Sequence, residues 1–595
     1  MMIESMLPRF LHCTTHFFRR RTVSKMKKLS TIFICSCLII FCGGCGKIYK
    51  GPPADLVVKN ADIITIDTDN PRAEALAVKD EFIIAITTNA KVDQYIEEGT
   101  TIVIDAKGRL VIPGLNDAHI HFMGGGQSMM QLDFRYVHDV QAIQQMVAEK
   151  VEHAKPGELI RGRGWEHETF PDKKWPTKEI LDAVTPNNPV ILSRADGHSS
   201  WVNSYALKMS GITKDTQSPP NGTVVKDPVT GEPTGILKEG ATRLLKVRST
   251  VQLTPEETEK RLDEALELAL AEARRKGVTS IQQLNGEYKR FQRFMDEGNL
   301  TCRVTFNMAI PHDNVEERLK KLDELRKEYP PEDNWIRFGY LKVFIDGTLG
   351  SGTALMFEPF EDDPSTSGLP MMPYEKFEEL IVAADAMGFQ TGTHAIGTKG
   401  NNWVLNAVEK AMEVNGRRDH RHRSEHAQIL ISDDIPRFAE LRVIASMQPT
   451  HCITDKRFAE KRIGLERCKG AYAWQRLLDA GVNIAFGTDW PVEPIDPLEG
   501  LYGAVTRKDR EGEEGEGWFP DQKLSMEKAI ELYTLGASYA EFMEDRKGKI
   551  KVGFLGDMVI FNNDLMTIPP EEIMSSKADY TIVGGKVVFQ REDID

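Results

Sequence analysis

The hydrophobic pattern divides the chain into two kinds of region. Residues 56–60, 61–67, 82–86 and 101–105 are rich in Val and Ile with polar residues between them. They predict short strands separated by turns. The same texture returns at 557–561, 581–583 and 586–589. β-rich ends around a long middle predict a small sandwich built from both termini, as segments 54–113 and 545–595.

The middle, 114–540, alternates apolar strands with amphipathic stretches. One helix is well marked: Thr254 can cap it, Pro255 suits its first position and Glu257 completes a capping box. Leu262, Leu266, Leu270 and Ala273 give it an apolar stripe, and Gly277 ends it. Strands are predicted at 278–283, 302–309, 336–345, 389–394, 423–429, 443–447 and 482–487. With the strand ending at His119 there are eight. Alternation over this length predicts an α/β protein with a closed parallel (β/α)8 TIM barrel. About 130 residues separate the first strand from the Thr254 helix, too many for a plain connection. They predict an insertion at 125–250, with a strand at 189–195 and a hairpin at 223–236. Placed over the barrel mouth, it would shape the pocket. Trp165 and Trp201 would wall that pocket or fill the insertion's core.

Composition narrows the class. The 595 residues are 41% hydrophobic and 28% charged, which suits a folded protein. A net charge of −14 repels phosphate backbones, so nucleic acid is not the expected partner. Residues 1–45 differ from the rest. They hold seven basic residues against Glu4, and five of the eight cysteines. Lys27 and Lys28 precede an apolar run at 29–41, then Cys42-Gly43-Gly44-Cys45. That order reads as a secretory signal. Its ending resembles the bacterial lipoprotein box with Cys45 as the lipidated residue, although Cys42 stands where a Leu is usual. Met26 makes a more ordinary start than Met1. The expectation is an exported lipoprotein on the periplasmic side of the outer membrane, held through its lipid alone. The alternative is an uncleaved anchor, for which the run is short. Cys302, Cys452 and Cys468 make neither a disulfide framework nor a zinc-thiolate site. Cys452 and Cys468 could pair in an oxidising compartment.

Twelve histidines follow the leader, and their placement is the main chemical signal. His119 and His121 flank Ile120, so a strand would put both imidazoles on one face, able to share a metal. The bland reading is two core or surface histidines. His394, His426 and Asp489 fall at the ends of later barrel strands, where such barrels keep their catalytic groups. Singly, each could be a satisfied core group or a helix cap. Four imidazoles and one carboxylate at one rim are harder to explain so. His198 and His451 could touch substrate or be structural. Gly347, Gly350 and Gly352 could bring N–H groups to a ligand or permit a tight turn. His420 and His422, among four arginines, read as a solvated basic patch.

These positions, with the run Pro113-Gly114-Leu115-Asn116-Asp117-Ala118-His119, resemble the amidohydrolase superfamily. More narrowly the chain resembles the YtcJ-like, amidohydrolase-3 group that includes N-substituted formamide deformylases. The matching runs are Gly164-Trp165-Glu166-His167, Asp196-Gly197-His198, Asp346-Gly347-Thr348-Leu349-Gly350 and Gly487-Thr488-Asp489-Trp490-Pro491, with the tail from Gly548 to Asp557. The resemblance spans roughly 54–592. It implies one or two divalent metals, zinc by ligand type, with His119, His121 and Asp489 on the first and His394 and His426 on the second. It implies that a carboxylated Lys342 bridges them; the alternative is a lysine paired with Asp346 or another acid. Asp489 would serve as general base and acid, and His198, if not structural, could touch the substrate or help stabilise the oxyanion. The expected substrate is a small amide-like molecule whose C–N bond is hydrolysed. A deaminase, a C–O hydrolase and a non-catalytic lipid-anchored binding protein are the rivals, and homo-oligomerisation stays open.

Overall fold

The computed structural model describes residues 52–594, apart from 136, 195–198, 220–221, 248–250, 252–253, 285, 351 and 513–514. The leader, Cys45 and His198 lie outside the described residues. Eight parallel strands form one sheet: β1 (Leu115–Ile120), β2 (Val278–Gln283), β3 (Arg303–Ala309), β4 (Ile336–Phe344), β5 (Thr391–Ala395), β6 (Arg423–His426), β7 (Ile444–Met447) and β8 (Ile484–Phe486). Neighbours in the sheet are neighbours in sequence. The ring is joined just past β8, where the Asp489 N–H donates to the His119 carbonyl at 2.8 Å and the His121 N–H to the Trp490 carbonyl at 2.9 Å. Gly487 permits this approach, because a Cβ there would lie 2.6 Å from the His119 nitrogen. The predicted TIM barrel is thus present.

Every residue of β1, β2 and β5–β8 is buried. Parallel strands are covered on both faces, so even the polar residues of β2 (VTSIQQ), β5 (TGTHA) and β6 (RSEH) are enclosed. The helix Pro255–Arg275 shows how local signals set an element. Thr254 and Glu257 make the reciprocal capping box, Pro255 stands at the first turn, and Leu266, Leu270 and Ala273 are buried against the barrel. Such a cap is worth about 1 kcal/mol. Gly277, at φ +79°, turns the chain into β2.

Two further sheets stand at the chain ends. One has four strands, Phe82–Thr87, Ala75–Lys79, Leu56–Lys59 and Ile102–Asp105 in spatial order. The other has six, with Met558–Phe561 antiparallel to Leu110–Pro113, so early and late chain share one ladder. Val58, Ile63, Ile104, Met558 and Ile582 pack between them.

The segment between β1 and the Pro255 helix carries its own six-stranded sheet, whose inner strands are Ile160–Trp165, Val190–Arg194, Ser199–Val202 and Pro233–Glu239. Trp165 and Trp201 are buried there with Phe134 and Leu192, and they do not wall the pocket. Cys452 and Cys468 are buried free thiols, pushed by burial up to about 11 and about 12. The basic patch expected at His420 and His422 is absent: both rings are buried. His422 accepts from the Thr391 N–H at 3.0 Å and contacts Asp385 at 3.1 Å. A carboxylate far away in sequence absorbs the local positive charge.

Candidate functional site

The C-terminal ends of the strands open into a cavity of about 800 Å³. His119, His121, Lys342, His394, His426 and Asp489 all line it. His119 near the end of β1 and His121 just past it turn to one side, with ring centroids 5.9 Å apart. Each presents Nε2 at 3.5 Å from the same Asp489 oxygen, Oδ1. The donor atoms of these three residues lie within 4.8 Å of one another, as a metal requires. His394 ends β5 and His426 ends β6, and their ring centroids are 4.5 Å apart.

Three of the imidazoles are held by one nitrogen. His119 Nδ1 is 2.5 Å from Glu425 Oε2, His426 Nδ1 is 2.7 Å from Gln448 Oε1, and His394 Nε2 is 3.1 Å from the Gly347 carbonyl. A carboxylate, an amide oxygen and a carbonyl all accept, so each of these nitrogens carries the proton. The opposite nitrogen is left as a lone pair, the form that ligates metals. Burial supports the neutral state. Burial, then the Lys342 charge, lowers His121 to about 4 and His394 to about 3. His119 and His426 are held well below the usual histidine value, chiefly by burial.

Lys342 points in from β4. It is 4% exposed, and its Nζ has no hydrogen-bond partner. Burial lowers it to about 8, although the Glu425 and Asp489 charges oppose the shift. Its pairing with Asp346 is not found. Asp346 instead accepts backbone N–H groups from Leu355, Ile396 and Gly397. Asp489 Oδ1 is buried without a hydrogen bond, and burial raises the carboxyl to about 6.

The backbone at the rim is strained. Asp489 has φ +57°, His426 φ +79° and Ala427 φ +43°. Such angles cost residues other than glycine about 1 kcal/mol or more. Asp117 helps hold the Asp489 turn. It accepts from the Thr488 N–H at 3.0 Å, the Thr488 hydroxyl at 2.5 Å and the His119 N–H at 3.2 Å.

Sequence reasoning missed three parts of the site. Glu425 and Gln448, which fix ring nitrogens, carried no local signal. The pocket wall was assigned to the insertion, but none of the described insertion residues lines the cavity. Phe344, Thr348, Leu349 and Gly350 supply part of the wall, and another part is one face of the helix Pro449–Cys468, through His451, Thr454, Asp455, Phe458 and Arg462. Their three- and four-residue spacing was the available clue. The Gly347–Gly352 stretch is a tight turn, closed by Gly347 N–H to the Thr353 carbonyl at 3.2 Å and Gly352 N–H to the Leu349 carbonyl at 3.0 Å.

Comparison with known proteins agrees with this geometry. Residues 102–589 match the amidohydrolase family. YtcJ of Bacillus subtilis (strain 168), an amidohydrolase by name, is 32% identical over 537 residues, covering 89% of this chain and 98% of that protein. The N-substituted formamide deformylase of Arthrobacter pascens is 24% identical over 545 residues, covering 90% and 98%. The crystal structure of an uncharacterized metal-dependent hydrolase from Pyrococcus furiosus superposes with a TM-score of 0.67 at 28% identity, covering 86% of this chain and 100% of that one.

Proposed function

Because the chain belongs to the amidohydrolase family, we propose that it hydrolyses a non-peptide C–N bond, in an amide or an N-formyl or N-acyl amine, with water as nucleophile. One observation carries this reading: His119, His121 and a buried Asp489 oxygen without a hydrogen bond bring their donor atoms within 4.8 Å of one another, in a cavity that His394, His426 and Lys342 also line. That donor set fits divalent metal, and its imidazoles and carboxylate suit zinc. His119, His121 and Asp489 would hold one ion, and His394 and His426 a second. Lys342, once carboxylated, would supply an anionic oxygen to both; its solitary, burial-weakened ammonium favours that conversion. Bound metal would polarise the acyl oxygen and bring the pKa of water to about 7.

The chain's own residues do the rest. Asp489, near Oδ1 of which the His119 and His121 imidazoles converge, takes the proton of the attacking water and returns it to the leaving nitrogen. The products are a carboxylic acid and an amine. The name of the Arthrobacter relative makes N-substituted formamides the first substrates to try. Export and lipidation at Cys45 belong to the same proposal, and fatty-acid labelling lost in Cys45→Ala would support them.

The test is elemental analysis of chain beginning after Cys45 and purified without chelator, with an amide and N-formyl amine screen. Bound zinc with release of formate and amine supports the reading. Ammonia release marks a deaminase, and a freed alcohol marks C–O cleavage. A chain that takes up no metal after refolding with zinc overturns the hydrolase reading in favour of a binding protein.

A further inference from the structure

His451 is the histidine at the rim that the metal assignment leaves out. It stands in the first turn of the helix Pro449–Cys468, just past β7. It lines the cavity, is 9% exposed, and its Nε2 has no hydrogen-bond partner. Its ring is parallel to His426 within 11°, at 6.0 Å between centroids. Its Nε2 is 3.8 Å from Asp489 Oδ2.

Two features separate it from His119, His394 and His426. His119, His394 and His426 are each pinned by an acceptor behind the ring. Among the described residues, His451 has no such acceptor, although ligating histidines almost always do. Asp489 also divides its two oxygens. Oδ1 faces His119 and His121, while Oδ2 faces His451. His426, His451 and Asp489 do lie close enough to hold an ion together. A ring without a support behind it is better placed to meet substrate than to fix metal.

We propose that His451 is a catalytic residue, donating an Nε2–H hydrogen bond to the substrate's acyl oxygen as the carbon becomes tetrahedral. The inference rests on the hydrolase reading above. No proton changes hands in this step. The oxygen gains charge as water attacks, and the hydrogen bond to it shortens and strengthens. A donor in a buried wall is worth most there, because the developing charge sees little water.

The test uses His451→Ala and His451→Gln in the zinc-loaded chain, with a cobalt-substituted form of each. Metal content is expected to match the parent, and kcat on an N-formyl amine to fall about 10²-fold in the Ala variant with KM little changed. Glutamine, which restores an N–H donor, recovers part of the loss. Formate is also titrated onto the cobalt forms, with visible absorption as the readout. About tenfold weaker binding in the Ala variant is expected, since formate presents the same oxygen without turnover. Loss of metal in both variants would make His451 a ligand and overturn the proposal. Unchanged kcat with unchanged formate affinity would overturn it as well. Should the parent cleave no amide, the hydrolase reading fails on turnover, and the formate titration still decides His451.

Discussion

Both ends of the barrel bury charged groups, and they treat them in opposite ways. At the base, charges sit in pairs. Arg303 grips Asp557 with two bonds, of 2.7 and 2.9 Å. Lys547 meets Glu541 at 2.8 Å and the Ser280 hydroxyl at 2.9 Å. Arg418 meets Asp385 at 2.6 Å. The base is not perfectly satisfied, since two Arg337 nitrogens lack partners, but that guanidinium still donates to the Glu541 carbonyl. At the rim, Lys342 Nζ, Asp489 Oδ1 and His451 Nε2 are all buried with no hydrogen bond. Burial pushes Glu541 up, yet the Lys547 and Arg337 charges more than offset it and its carboxyl ends below the ordinary value. Burial pushes Asp489 up to about 6, and nothing nearby fully offsets it. A fold tolerates unsatisfied buried charge only where something else satisfies it, or where function needs it unsatisfied. The difference therefore marks the rim as the working end and the base as the structural one.

Breaking each end should give different failures. The largest effect is expected from His119→Ala combined with His121→Ala. It should abolish metal at the first position and lower kcat/KM by more than about 10³-fold, with little change in thermal unfolding of the metal-free chain. Elemental analysis beside steady-state kinetics checks this. Arg303→Met should do the reverse. It strands the buried Asp557 carboxylate, and removing one partner of a buried pair costs about 3–5 kcal/mol. Denaturant unfolding should show that loss, while kcat per folded molecule stays near the parent. A base variant that lost metal before it lost stability would dissolve the distinction.

How much of this was legible in sequence follows the range of the interactions. The barrel strands were readable because strand-like segments alternate with amphipathic stretches along the middle of the chain. The Pro255 helix was readable because its cap, first turn and stop lie within one segment. His119 and His121 were readable because the strand repeat alone puts them on one side. What failed depended on distant partners. His422 meets Asp385, 37 residues earlier, so a run of arginines looked like solvated surface. His119 meets Glu425, 306 residues later, and nothing around Glu425 announces that role. The pocket wall was misplaced for the same reason. The spacing of His451, Thr454, Asp455, Phe458 and Arg462 defines a helix face, but only the fold says what that face looks onto.

Opposite pKa shifts at the two ends predict opposite responses to pH in the metal-free chain. The folded state holds the Asp489 proton more tightly than the unfolded state does, at about 6 against an ordinary 3.8. Charging it therefore costs stability as pH rises through that window, up to about 3 kcal/mol. Asp489→Asn should match the parent near pH 4 and become the more stable chain toward pH 7. If the proposed metal site is correct, saturating zinc should reverse that order, because the carboxylate would then be a ligand. Glu541 runs the other way, since its folded value is depressed. Its contribution is present above the unfolded value and is lost as pH falls, so Glu541→Gln should be the weaker chain at pH 7 and approach the parent in acid. Parallel pH profiles for the two variants would show that both ends carry their charge alike.

The smallest effect sharpens the comparison most, because it concerns one paired group at the unpaired end. Glu425 is buried on β6, bound to His119 Nδ1 and 2.8 Å from the Arg423 guanidinium. Arg423 is itself tied to Gln282 at 2.5 Å, the Ala118 carbonyl at 2.6 Å and the Ser446 hydroxyl at 2.8 Å. A base-like network thus reaches up the barrel and ends behind one ring that lines the cavity. Glu425→Gln keeps the size and removes the charge, so His119 keeps a neighbour but loses the anion that fixes its proton and raises its basicity. Metal affinity should weaken about 10- to 100-fold, as for other partners behind ligating histidines. Competition with a chelator would measure it, and kcat at saturating metal should change far less. Equal loss of affinity and kcat would instead place Glu425 among the groups that act on substrate. Full retention of both would mean that burial alone holds His119, and that the ordered base ends below the rim.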